Sequence, residues 1–346
     1  MKLIVLLAGD YPDIAAEEAL SVLFATRTSY VAELFYERLL RVAIPGESID
    51  RALKALSHLV LAKEVVLELV QGHYSSLREI AERGALALKN MLERECTFAV
   101  RVLKIKPLTT VKSSVELERE IGEAILEVVG SKLKVDLRKP EVLVRAYIAR
   151  DRLFLGLLVL RLRRSRLRER APQRRPFFHP SALTPETARI MVNLSRVDEG
   201  IVLDPFCGTG SIPLEASSVG IFSIGVDIMR EMVEGSKANS AFYGFGWCTD
   251  FVQADACALP FRDQSFDAII TDPPYGRLSP TGGRDPKSIY DCLAREARRV
   301  LKLGAACVYM HPHKLDPSCT LSLRFLSSIL VHSDLTRILR VEVKEQ

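Results

Sequence analysis

The sequence predicts an α/β protein in two parts, the second of which is a doubly wound, mostly parallel sheet. Residues 176–346 alternate short apolar strands with helix-like segments, a pattern typical of parallel sheets covered by helices. Residues 1–160 contain strands and amphipathic helices without this regular alternation and are predicted to be α+β. The chain has 346 residues, which is enough for two domains or more.

The hydrophobic content excludes a disordered chain and indicates no membrane segment. Hydrophobic residues make up 48% of the sequence, as in ordinary globular proteins. The longest stretch without a charged residue, 238–249, is shorter than the ~20 residues that a transmembrane helix needs. The apolar start of the sequence is too short for a signal peptide and is followed by Asp10 and Asp13, so we interpret it as a first β-strand.

The cysteines predict neither a metal site nor a redox motif. The seven cysteines include no Cys-x-x-Cys pair, so zinc, iron–sulfur and thioredoxin-like sites are not indicated. Their odd number and the size of the protein are typical of a reducing compartment, and we expect a cytoplasmic protein.

The net charge of +5 comes from one segment. Residues 161–175 contain eight basic residues and one acid, whereas residues 1–160 have 23 basic and 22 acidic residues, and residues 176–346 have 17 and 20. So dense a basic patch favours a polyanionic partner such as nucleic acid, although a solvated linker has the same composition. The candidates for nucleic-acid contact are Arg161, Arg163, Arg164, Arg166, Arg168, Arg174 and Arg175.

Local patterns predict the individual elements. In the first part, helices are predicted at 14–25, 74–92 and 113–129, and strands at 3–7, 98–105, 133–137, 142–149 and 152–160. In the second part, strands are predicted at 201–203, 222–226, 251–253, 268–271, 305–309, 328–331 and 338–343, and helices at 185–194, 212–219, 229–242 and 287–301. The last two strands have no helix between them, so an antiparallel hairpin is expected to close the sheet.

Acidic residues follow four successive strands of the predicted sheet. Asp204 opens the loop Asp-Pro-Phe-Cys-Gly-Thr-Gly-Ser (204–211), and Asp227, Asp255 and Asp272 follow the next three strands. Taken singly, each acid is better explained as a cap or turn residue. Their common register favours a ligand site, because ligands bind at the carboxyl ends of parallel strands and glycines let the backbone approach them closely.

This register predicts a ligand with an ammonium group, a ribose and an adenine, which is S-adenosylmethionine. An acid before the glycines suits the ammonium group, Asp227 suits the ribose hydroxyls, and Asp255 suits the adenine amino group. The loop has neither the Gly-Lys-Ser/Thr of a phosphate loop nor the Gly-x-Gly-x-x-Gly of dinucleotide folds.

Several motifs are similar to those of a known family. The glycine loop and Thr-Asp-Pro-Pro-Tyr-Gly (271–276) resemble the methyltransferases that act on exocyclic amino groups of bases. Arg-Arg-Pro-Phe-Phe-His-Pro (174–180) narrows the resemblance to the archaeal tRNA guanine-10 N2-methyltransferases. In the first part, residues 98–102, 116–122 and 134–141 resemble a THUMP domain, the RNA-binding module of tRNA-modifying enzymes.

The resemblance implies domains, partners and site residues. It implies a ferredoxin-like segment at 1–60, a THUMP-like domain at 61–160, an arginine-rich linker at 161–175 and a Rossmann-like seven-stranded methyltransferase domain at 176–346. It also implies tRNA as the substrate and a small zinc-binding activator subunit as a partner. The implied cofactor residues are Thr184, Asp204, Pro205, Phe206, Gly208, Thr209, Gly210, Asp227, Ile228, Asp255 and Ala256.

The Asp-Pro-Pro-Tyr segment predicts chemistry on an amino group. The lone pair of a guanine amino group is delocalised into the ring, so this nitrogen is a poor nucleophile. The Asp272 carboxylate and the Pro273 carbonyl each accept one N–H and direct the lone pair at a methyl sulfonium. Pro274 stiffens the loop, and Tyr275 offers a ring on which the base stacks.

Two further residues near these motifs have predicted roles. Positioning accounts for this chemistry without a covalent nucleophile, so Cys207 is interpreted as a packing residue. Arg277 lies in the loop 276–287 and is a candidate for contact with RNA phosphates, or a solvated arginine.

Other functions are compatible with parts of the sequence. The nearest is the same chemistry at another tRNA guanine, such as position 6, where the related pattern usually has Asn in place of Asp272. A DNA adenine N6-methyltransferase shares the motif, but the THUMP-like part argues against it. The intact acids, glycines and tyrosine argue against a non-catalytic tRNA-binding protein. The sequence lacks the pyrophosphate loop that a sulfur-transfer enzyme needs, which argues against that activity.

Overall fold

The computed structural model describes residues 1–35, 38–108, 112–274, 285–315, 317, 321–332 and 335–345, and it divides the chain into two compact units. Unit 1 comprises Met1–Ala16, Thr28–Ser57 and Leu61–Leu162. Unit 2 comprises Glu17–Arg27, His58–Val60 and Arg163–Gln346. Within the described ranges, every helix is too short or too polar to span a membrane.

Unit 1 is built on a mixed eight-stranded sheet. The elements of the first 162 residues are β1 (Lys2–Leu7), α1 (Pro12–Ala25), β2 (Val31–Phe35), β3 (Leu39–Ala43), α2 (Ile49–Leu56), β4 (Ala62–His73), α3 (Leu77–Met91), β5 (Cys96–Leu108), α4 (Ser114–Val129), β6 (Leu133–Val135), β7 (Val142–Arg150) and β8 (Arg152–Arg161). The strand order is β2-β3-β1-β4-β8-β7-β5-β6. Strand β5 is parallel to β6 and β7, and the other pairs are antiparallel.

Helices α3 and α4 cover one face of this sheet, as their apolar spacing predicts. The buried side of α3 includes Ile80 and Leu88, and that of α4 includes Leu117 and Ile121. Ser113 caps α4: its Oγ accepts from the Glu116 backbone N–H at 3.2 Å, and Glu116 Oε2 accepts from the Ser113 N–H at 2.6 Å. The predicted hairpin between β7 and β8 is confirmed.

Strand β4 lies near the middle of the sheet, yet the sequence pattern did not predict it. Its apolar alternation is interrupted by Glu64 and Glu68, which are paired with basic side chains of other strands. Glu68 accepts from Arg41 Nε at 2.5 Å, and Glu64 accepts from Arg145 and from the Tyr147 hydroxyl at 2.8 Å. The acids are therefore compatible with a buried strand only because partners far along the chain neutralise them.

Unit 2 contains a seven-stranded sheet. Its elements are α5 (Ser165–Arg168), α6 (Pro185–Leu194), β9 (Ile201–Asp204), α7 (Ser211–Ser217), β10 (Phe222–Asp227), α8 (Arg230–Phe242), β11 (Thr249–Gln253), β12 (Phe266–Thr271), α9 (Pro286–Val300), β13 (Leu301–Pro312), β14 (Ser322–His332) and β15 (Leu335–Val343). Helices connect all of the consecutive parallel strands of this sheet except β11 and β12. The predicted strands and helices of this part are confirmed with ends shifted by a few residues.

The order of this sheet is β11-β10-β9-β12-β13-β15-β14. Strands β11, β10, β9, β12 and β13 are parallel to one another, whereas β15 is antiparallel to both β13 and β14. The predicted antiparallel hairpin at the end of the sheet is confirmed. Because four parallel strands share one direction, the residues that follow β9, β10, β11 and β12 lie at the same edge.

Much of the predicted linker 161–175 is folded into unit 2. Leu167 of α5 and Pro172 of a following 3₁₀ turn are buried. Arg164 Nε donates to the Val60 carbonyl at 2.8 Å, and Arg170 forms a bidentate pair with the buried Glu215 at 2.7 and 2.9 Å. The apolar residues between the arginines explain why the segment is ordered.

Candidate cofactor and substrate site

The structure brings the four acids to one edge of the unit 2 sheet. Asp204 and Asp227 are the last residues of β9 and β10, and Asp272 directly follows β12. Asp255 lies two residues beyond β11, which is parallel to β10. The acids predicted from their register along the chain are thus neighbours at the carboxyl ends of the strands.

Asp204 is buried in the middle of this edge. Its side chain is 3% exposed, and its Oδ1 accepts from the Thr271 hydroxyl at 2.7 Å and from the Phe206 backbone N–H at 3.2 Å. Burial, together with the negative charges of Asp227 and Asp272, raises the pKa of Asp204 to about 7, although the hydrogen bonds from Thr271 and Phe206 oppose the rise. A buried acid of this kind favours a cationic partner.

The loop after β9 depends on its glycines. Gly208 and Gly210 have φ values of 51° and 81°, a region that favours glycine, and a Cβ on Gly210 would lie 3.2 Å from the Ser236 hydroxyl. Ser236 donates to the Gly208 carbonyl at 2.7 Å. The backbone of the predicted cofactor loop is therefore fixed against α8. Pro205 and Thr209 of this loop are buried, and Phe206 is half-buried.

Asp227 connects this loop to the end of β10. Its two carboxylate oxygens accept from the backbone N–H groups of Gly208 at 3.0 Å and Met229 at 2.9 Å. Burial raises the pKa of Asp227. The next residue, Ile228, is 53% exposed, so it is a surface residue of this edge and not part of the core.

Asp255 stabilises a turn. This agrees with the simpler of the two explanations for an acid directly after a strand. Its Oδ1 accepts from the Cys257 backbone N–H at 2.9 Å, and its carbonyl accepts from the Ala258 N–H at 2.9 Å. Ala256 is buried between them. The structure thus places Asp255 and Ala256 in an ordered turn at the predicted adenine end of the site.

A disulfide joins this turn to α9, which corrects the expectation of reduced cysteines throughout. Cys257 and Cys292 are bonded, with Cα atoms 4.8 Å apart and a sequence separation of 35 residues. No local spacing marks the pair, because the tertiary fold alone brings the two cysteines together. Cys96, Cys207 and Cys248 are free and buried, and Cys307 is also buried.

Cys207 is enclosed by the core on the inner side of the loop. It is 5% exposed and packs with Val233 and Phe251. Burial raises the pKa of the Cys207 thiol well above its usual value, so the thiolate form is disfavoured.

The segment 174–180 is attached to the cofactor loop through Asn239 of α8. Asn239 Oδ1 accepts from the Phe177 N–H at 2.9 Å, and its Nδ2 donates to the carbonyls of Phe177 and Thr209 at 3.0 Å each. The Phe177 ring lies against Gly235, where a Cβ would be 2.1 Å from the ring. Thr184 is confirmed as the N-cap of α6, its hydroxyl accepting from the Thr187 N–H at 3.2 Å.

Arg175, which we predicted to contact RNA, is instead part of the interior. It is 6% exposed, and its Nη1 donates to the hydroxyls of Ser211 at 2.7 Å and Thr209 at 3.3 Å. Burial lowers the pKa of Arg175 to about 10. This arginine stabilises the start of α7 and has no free surface for a phosphate. The predicted RNA residues Arg161, Arg163, Arg166, Arg168 and Arg174 are exposed, and Arg164 is half-buried.

The Asp-Pro-Pro segment lies directly after β12. Pro273 is buried and Pro274 is half-buried. The Asp272 side chain is 11% exposed, and its Oδ2 lies 2.5 Å from Nη1 of Arg337 in β15. Tyr275 and Arg277, predicted to stack on the base and to contact RNA, lie outside the described residues.

Arg337 is the residue that sequence reasoning missed. It lies 65 residues after Asp272 in a different part of the sheet. The available signal was an arginine directly before the last predicted strand, 338–343, which by itself does not indicate a partner. Among the described residues, no group of three or more His, Cys, Asp or Glu side chains is arranged to hold a metal ion.

The fold and the site together define a class of enzyme. A sheet with this strand order, a glycine loop after β9 and Asp-Pro-Pro after β12 is the arrangement of Rossmann-like methyltransferases. Family models agree: residues 172–332 match the RMKL-like methyltransferase domain and residues 74–158 match the THUMP domain.

Similar proteins narrow the class to a family. The chain is 34% identical over 348 residues to the tRNA (guanine(10)-N2)-dimethyltransferase of Methanothermobacter thermautotrophicus, a match that covers 99% of each protein. It is 32% identical over 248 residues to the tRNA (guanine(6)-N2)-methyltransferase of Thermus thermophilus, covering 68% of each. The crystal structure of TrmN from Thermus thermophilus superimposes with a TM-score of 0.55 at 25% identity, covering 99% of this chain and 100% of that one. The chain belongs to the family of THUMP-containing methyltransferases that includes the tRNA (guanine(10)-N2)-dimethyltransferases.

The disulfide is expected to stabilise the folded state measurably. Closing a loop over 35 residues restricts the unfolded chain and contributes about 3–4 kcal/mol. Cys257→Ser and Cys292→Ser should each lower the free energy of unfolding by about this amount in a denaturant titration. A reductant should have the same effect on the native protein and none on Cys257→Ser. Equal stability of the native protein with and without reductant would contradict a stabilising cross-link.

Proposed function

We propose that the protein transfers methyl groups from S-adenosylmethionine to the N2 amino group of guanine-10 in tRNA, forming N2-methylguanine or N2,N2-dimethylguanine. The observation that carries this proposal is the position of Asp272. It follows β12 directly, at the sheet edge that also holds Asp204 and the glycine loop. An acceptor for an amino group thus lies beside residues that fit a sulfonium cofactor.

The residues at this edge fit S-adenosylmethionine. The buried Asp204 suits the ammonium group, because burial disfavours an ionised carboxylate that lacks a cationic partner. Asp227 lies at the end of the next strand, where an acid accepts from ribose hydroxyls, and Ile228 offers an exposed apolar side chain to the adenine. When bound, the cofactor supplies an electrophilic methyl group.

The chain's own residues contribute position and hydrogen-bond acceptors. Asp272 accepts one N–H of the guanine amino group, and the Pro273 carbonyl accepts the other. This pulls the nitrogen towards a tetrahedral geometry and frees its lone pair for attack. Orientation of this kind lowers the barrier without a covalent intermediate, in agreement with the burial of Cys207. Stacking of the base on Tyr275 remains a prediction.

Two observations favour position 10 over position 6. The relative named for position 10 matches 99% of this chain, whereas the relative named for position 6 matches 68%. Asp272 also stands where the pattern of the position-6 enzymes usually has Asn. The number of methyl groups transferred is a question for product analysis.

The exposed part of the arginine segment is proposed to hold tRNA backbone phosphates. Arg163, Arg166, Arg168 and Arg174 lie on the surface of unit 2. Phosphate contacts of this type set the position of the RNA without reading its sequence. The THUMP domain of unit 1 is proposed to recognise the shape of tRNA, since residues 1–160, which contain it, are close to neutral with 23 basic and 22 acidic residues.

A small zinc-binding activator subunit is proposed to cover the β11 edge of the sheet. Strand β11 is at one end of the strand order, and Trp247, which directly precedes this part of the chain, is 72% exposed. Phe242, at the end of α8, is 62% exposed. Exposed aromatic side chains beside an edge strand are typical of protein interfaces. Co-elution of the two purified proteins in size-exclusion chromatography, lost with Trp247→Ser, tests this partner.

The methyl transfer and its dependence on Asp272 are directly testable. Unmodified tRNA transcripts incubated with the protein and labelled S-adenosylmethionine should yield N2-methylated guanine at position 10, as mapped by nuclease digestion and mass spectrometry. Asp272→Ala should abolish transfer while leaving cofactor and tRNA binding within a few-fold of the native values. A labelled methyl group at position 6 in place of position 10 would show that the alternative guanine is the target. Full turnover by Asp272→Ala would exclude the proposed role of Asp272 in orienting the amino group.

Cofactor binding is expected to tighten as the pH rises to about 7. Burial raises the pKa of Asp204 to about 7, so at lower pH the free protein holds a proton there. The ammonium group of the cofactor favours the ionised form, so binding releases this proton and the Kd should fall about tenfold between pH 5.5 and 7. Calorimetric titration should show this change, and Asp204→Asn should bind weakly without it. A constant Kd in the native protein would contradict the pairing.

The raised pKa of Asp204 also makes the stability of the folded protein depend on pH. The folded protein keeps a proton on Asp204 that the unfolded chain releases above its ordinary pKa of about 4. This group therefore lowers the free energy of unfolding as the pH rises from about 4 to 7.

The exposed arginines are expected to determine the salt dependence of tRNA binding. Arg166→Gln combined with Arg168→Gln should weaken binding and reduce the slope of log K against log salt by up to about 0.9 per lost phosphate contact. Arg262→Gln combined with Arg298→Gln removes the same charge from other exposed positions of unit 2 and is the matched control. An equal loss in both variants would show that only the total charge matters.

A further inference from the structure

Strand β15 presents an arginine to the acid of the proposed amine site. Nη1 of Arg337 lies 2.5 Å from Oδ2 of Asp272, and the two side chains are 9% and 11% exposed. At such low exposure, a charge-assisted hydrogen bond is stronger and more directional than a pair on the surface. Its geometry therefore constrains the carboxylate of Asp272.

The sheet fixes the backbone of Arg337 from both sides. Arg337 is opposite Pro312 of β13 and opposite Ile329 of β14 in the two antiparallel ladders. A residue within a central strand is placed more precisely than one on a loop. The guanidinium is thus positioned by the fold itself, while Asp272 lies in the segment that leaves β12.

Buried aromatic side chains pack at β13, the strand next to β15 in the sheet. Tyr290 of α9 is 2% exposed and donates its hydroxyl to the Met310 carbonyl at 3.0 Å. Burial raises the pKa of Tyr290, and the negative charge of Asp272 raises it further. His311 is 4% exposed, with its ring centroid 6.4 Å from that of Tyr290. Tyr290 and His311 thus form a buried aromatic contact at β13, the strand that pairs with β15.

The negative charges at this edge of the sheet explain why Asp272 benefits from its contact with Arg337. The negative charges of Asp227 and Asp272 both disfavour the ionised form of Asp204. Arg337 supplies a positive charge at Asp272. A carboxylate that must accept an N–H from the substrate benefits from such compensation, because it must be both ionised and correctly oriented.

We propose that Arg337 is a positioning residue for methyl transfer, which holds the Asp272 carboxylate in the orientation that accepts an N–H of the target amino group. This proposal rests on the proposed function. Arg337 engages Oδ2 of Asp272 and acts on the substrate through that residue. An error of about 1 Å in the placement of the acceptor is enough to lower the rate of transfer about a hundredfold.

Replacing Arg337 is expected to slow turnover without weakening the binding of cofactor or tRNA. Arg337→Met should lower kcat about a hundredfold, while the Kd for S-adenosylmethionine and the KM for tRNA stay within about threefold of the native values. Arg337→Lys keeps the charge but not the planar fork, so it should recover part of the lost kcat. An unchanged kcat in Arg337→Met would overturn the proposal.

Arg340 provides a matched control on the same strand. It is also largely buried and pairs with Glu342, its Nε lying 2.6 Å from Oε1. Arg340→Met therefore breaks an ion pair of β15 without contact to Asp272, and its kcat should stay near the native value. If Arg340→Met lost as much kcat as Arg337→Met, at equal thermal stability, the effect would belong to the strand and the proposal would be wrong.

A double-mutant cycle tests whether Arg337 acts through Asp272. Asp272→Asn keeps a carbonyl acceptor and removes the charge that Arg337 binds. In this background, Arg337→Met should change kcat by less than about threefold, because residues that act as a unit are not additive. An undiminished hundredfold loss would overturn the proposal.

The outcomes for the two proposals are distinct. Absence of methylated guanine with the native protein would remove the proposed function itself. Turnover by the native protein, its loss in Asp272→Ala and full turnover in Arg337→Met would leave the function standing and exclude only the positioning role.

Discussion

The hydrogen bond from Thr271 to Asp204 connects the two halves of the site. Thr271 ends β12, and its hydroxyl lies 2.7 Å from the carboxylate that ends β9, 67 residues earlier in the sequence. The next residue is Asp272, so the acid proposed to bind the cofactor and the acid proposed to bind the target base are linked by one contact. A shift of either strand would move both acids. Because Asp204 is 3% exposed, its ionised form is costly until a cation neutralises it. Binding of the proposed cofactor therefore completes an interaction that folding leaves unfavourable.

A second set of buried charges lies behind the same loop and changes the interpretation of the arginine-rich segment. Glu215 of α7 is fully buried and accepts from Arg170 and Arg189, with distances of 2.7 Å to each. Arg175 donates to Ser211 at the start of the same helix. Two arginines of the segment thus have their partners in the interior of unit 2, and removing one partner of a buried ion pair such as Arg170–Glu215 is strongly destabilising. The high positive charge of residues 161–175 therefore overstates the charge available to RNA, which resides in the exposed arginines.

The sequence predicted the features that depend on local order and missed those that depend on long-range contact. The strands of unit 2, the cap at Ser113 and the four acids in register follow from periodicity and from the parallel direction of the strands, and the structure contains them. Strand β4 was missed because Glu64 and Glu68 conceal its pattern, and their arginine partners come from other strands. The Cys257–Cys292 disulfide and the Arg337–Asp272 pair likewise join positions that are 35 and 65 residues apart. Charge alone does not distinguish a phosphate-binding arginine from one that is buried, as Arg175 shows.

The chemistry of the site does not by itself determine which guanine of a tRNA is methylated. The acceptors that we propose at Asp272 and Pro273 suit any exocyclic amino group, and the relatives named for positions 10 and 6 of tRNA are both named as guanine-N2 methyltransferases. The choice between two guanines of one tRNA therefore does not follow from amine chemistry. It must come from the place at which the RNA is held, because only a nucleotide brought to the edge of the sheet meets Asp272. The exposed arginines and the THUMP domain are the parts of the chain suited to that task. In this protein, the fold thus separates the reaction, which the parallel sheet performs, from the choice of nucleotide, which we assign to the surfaces that bind RNA.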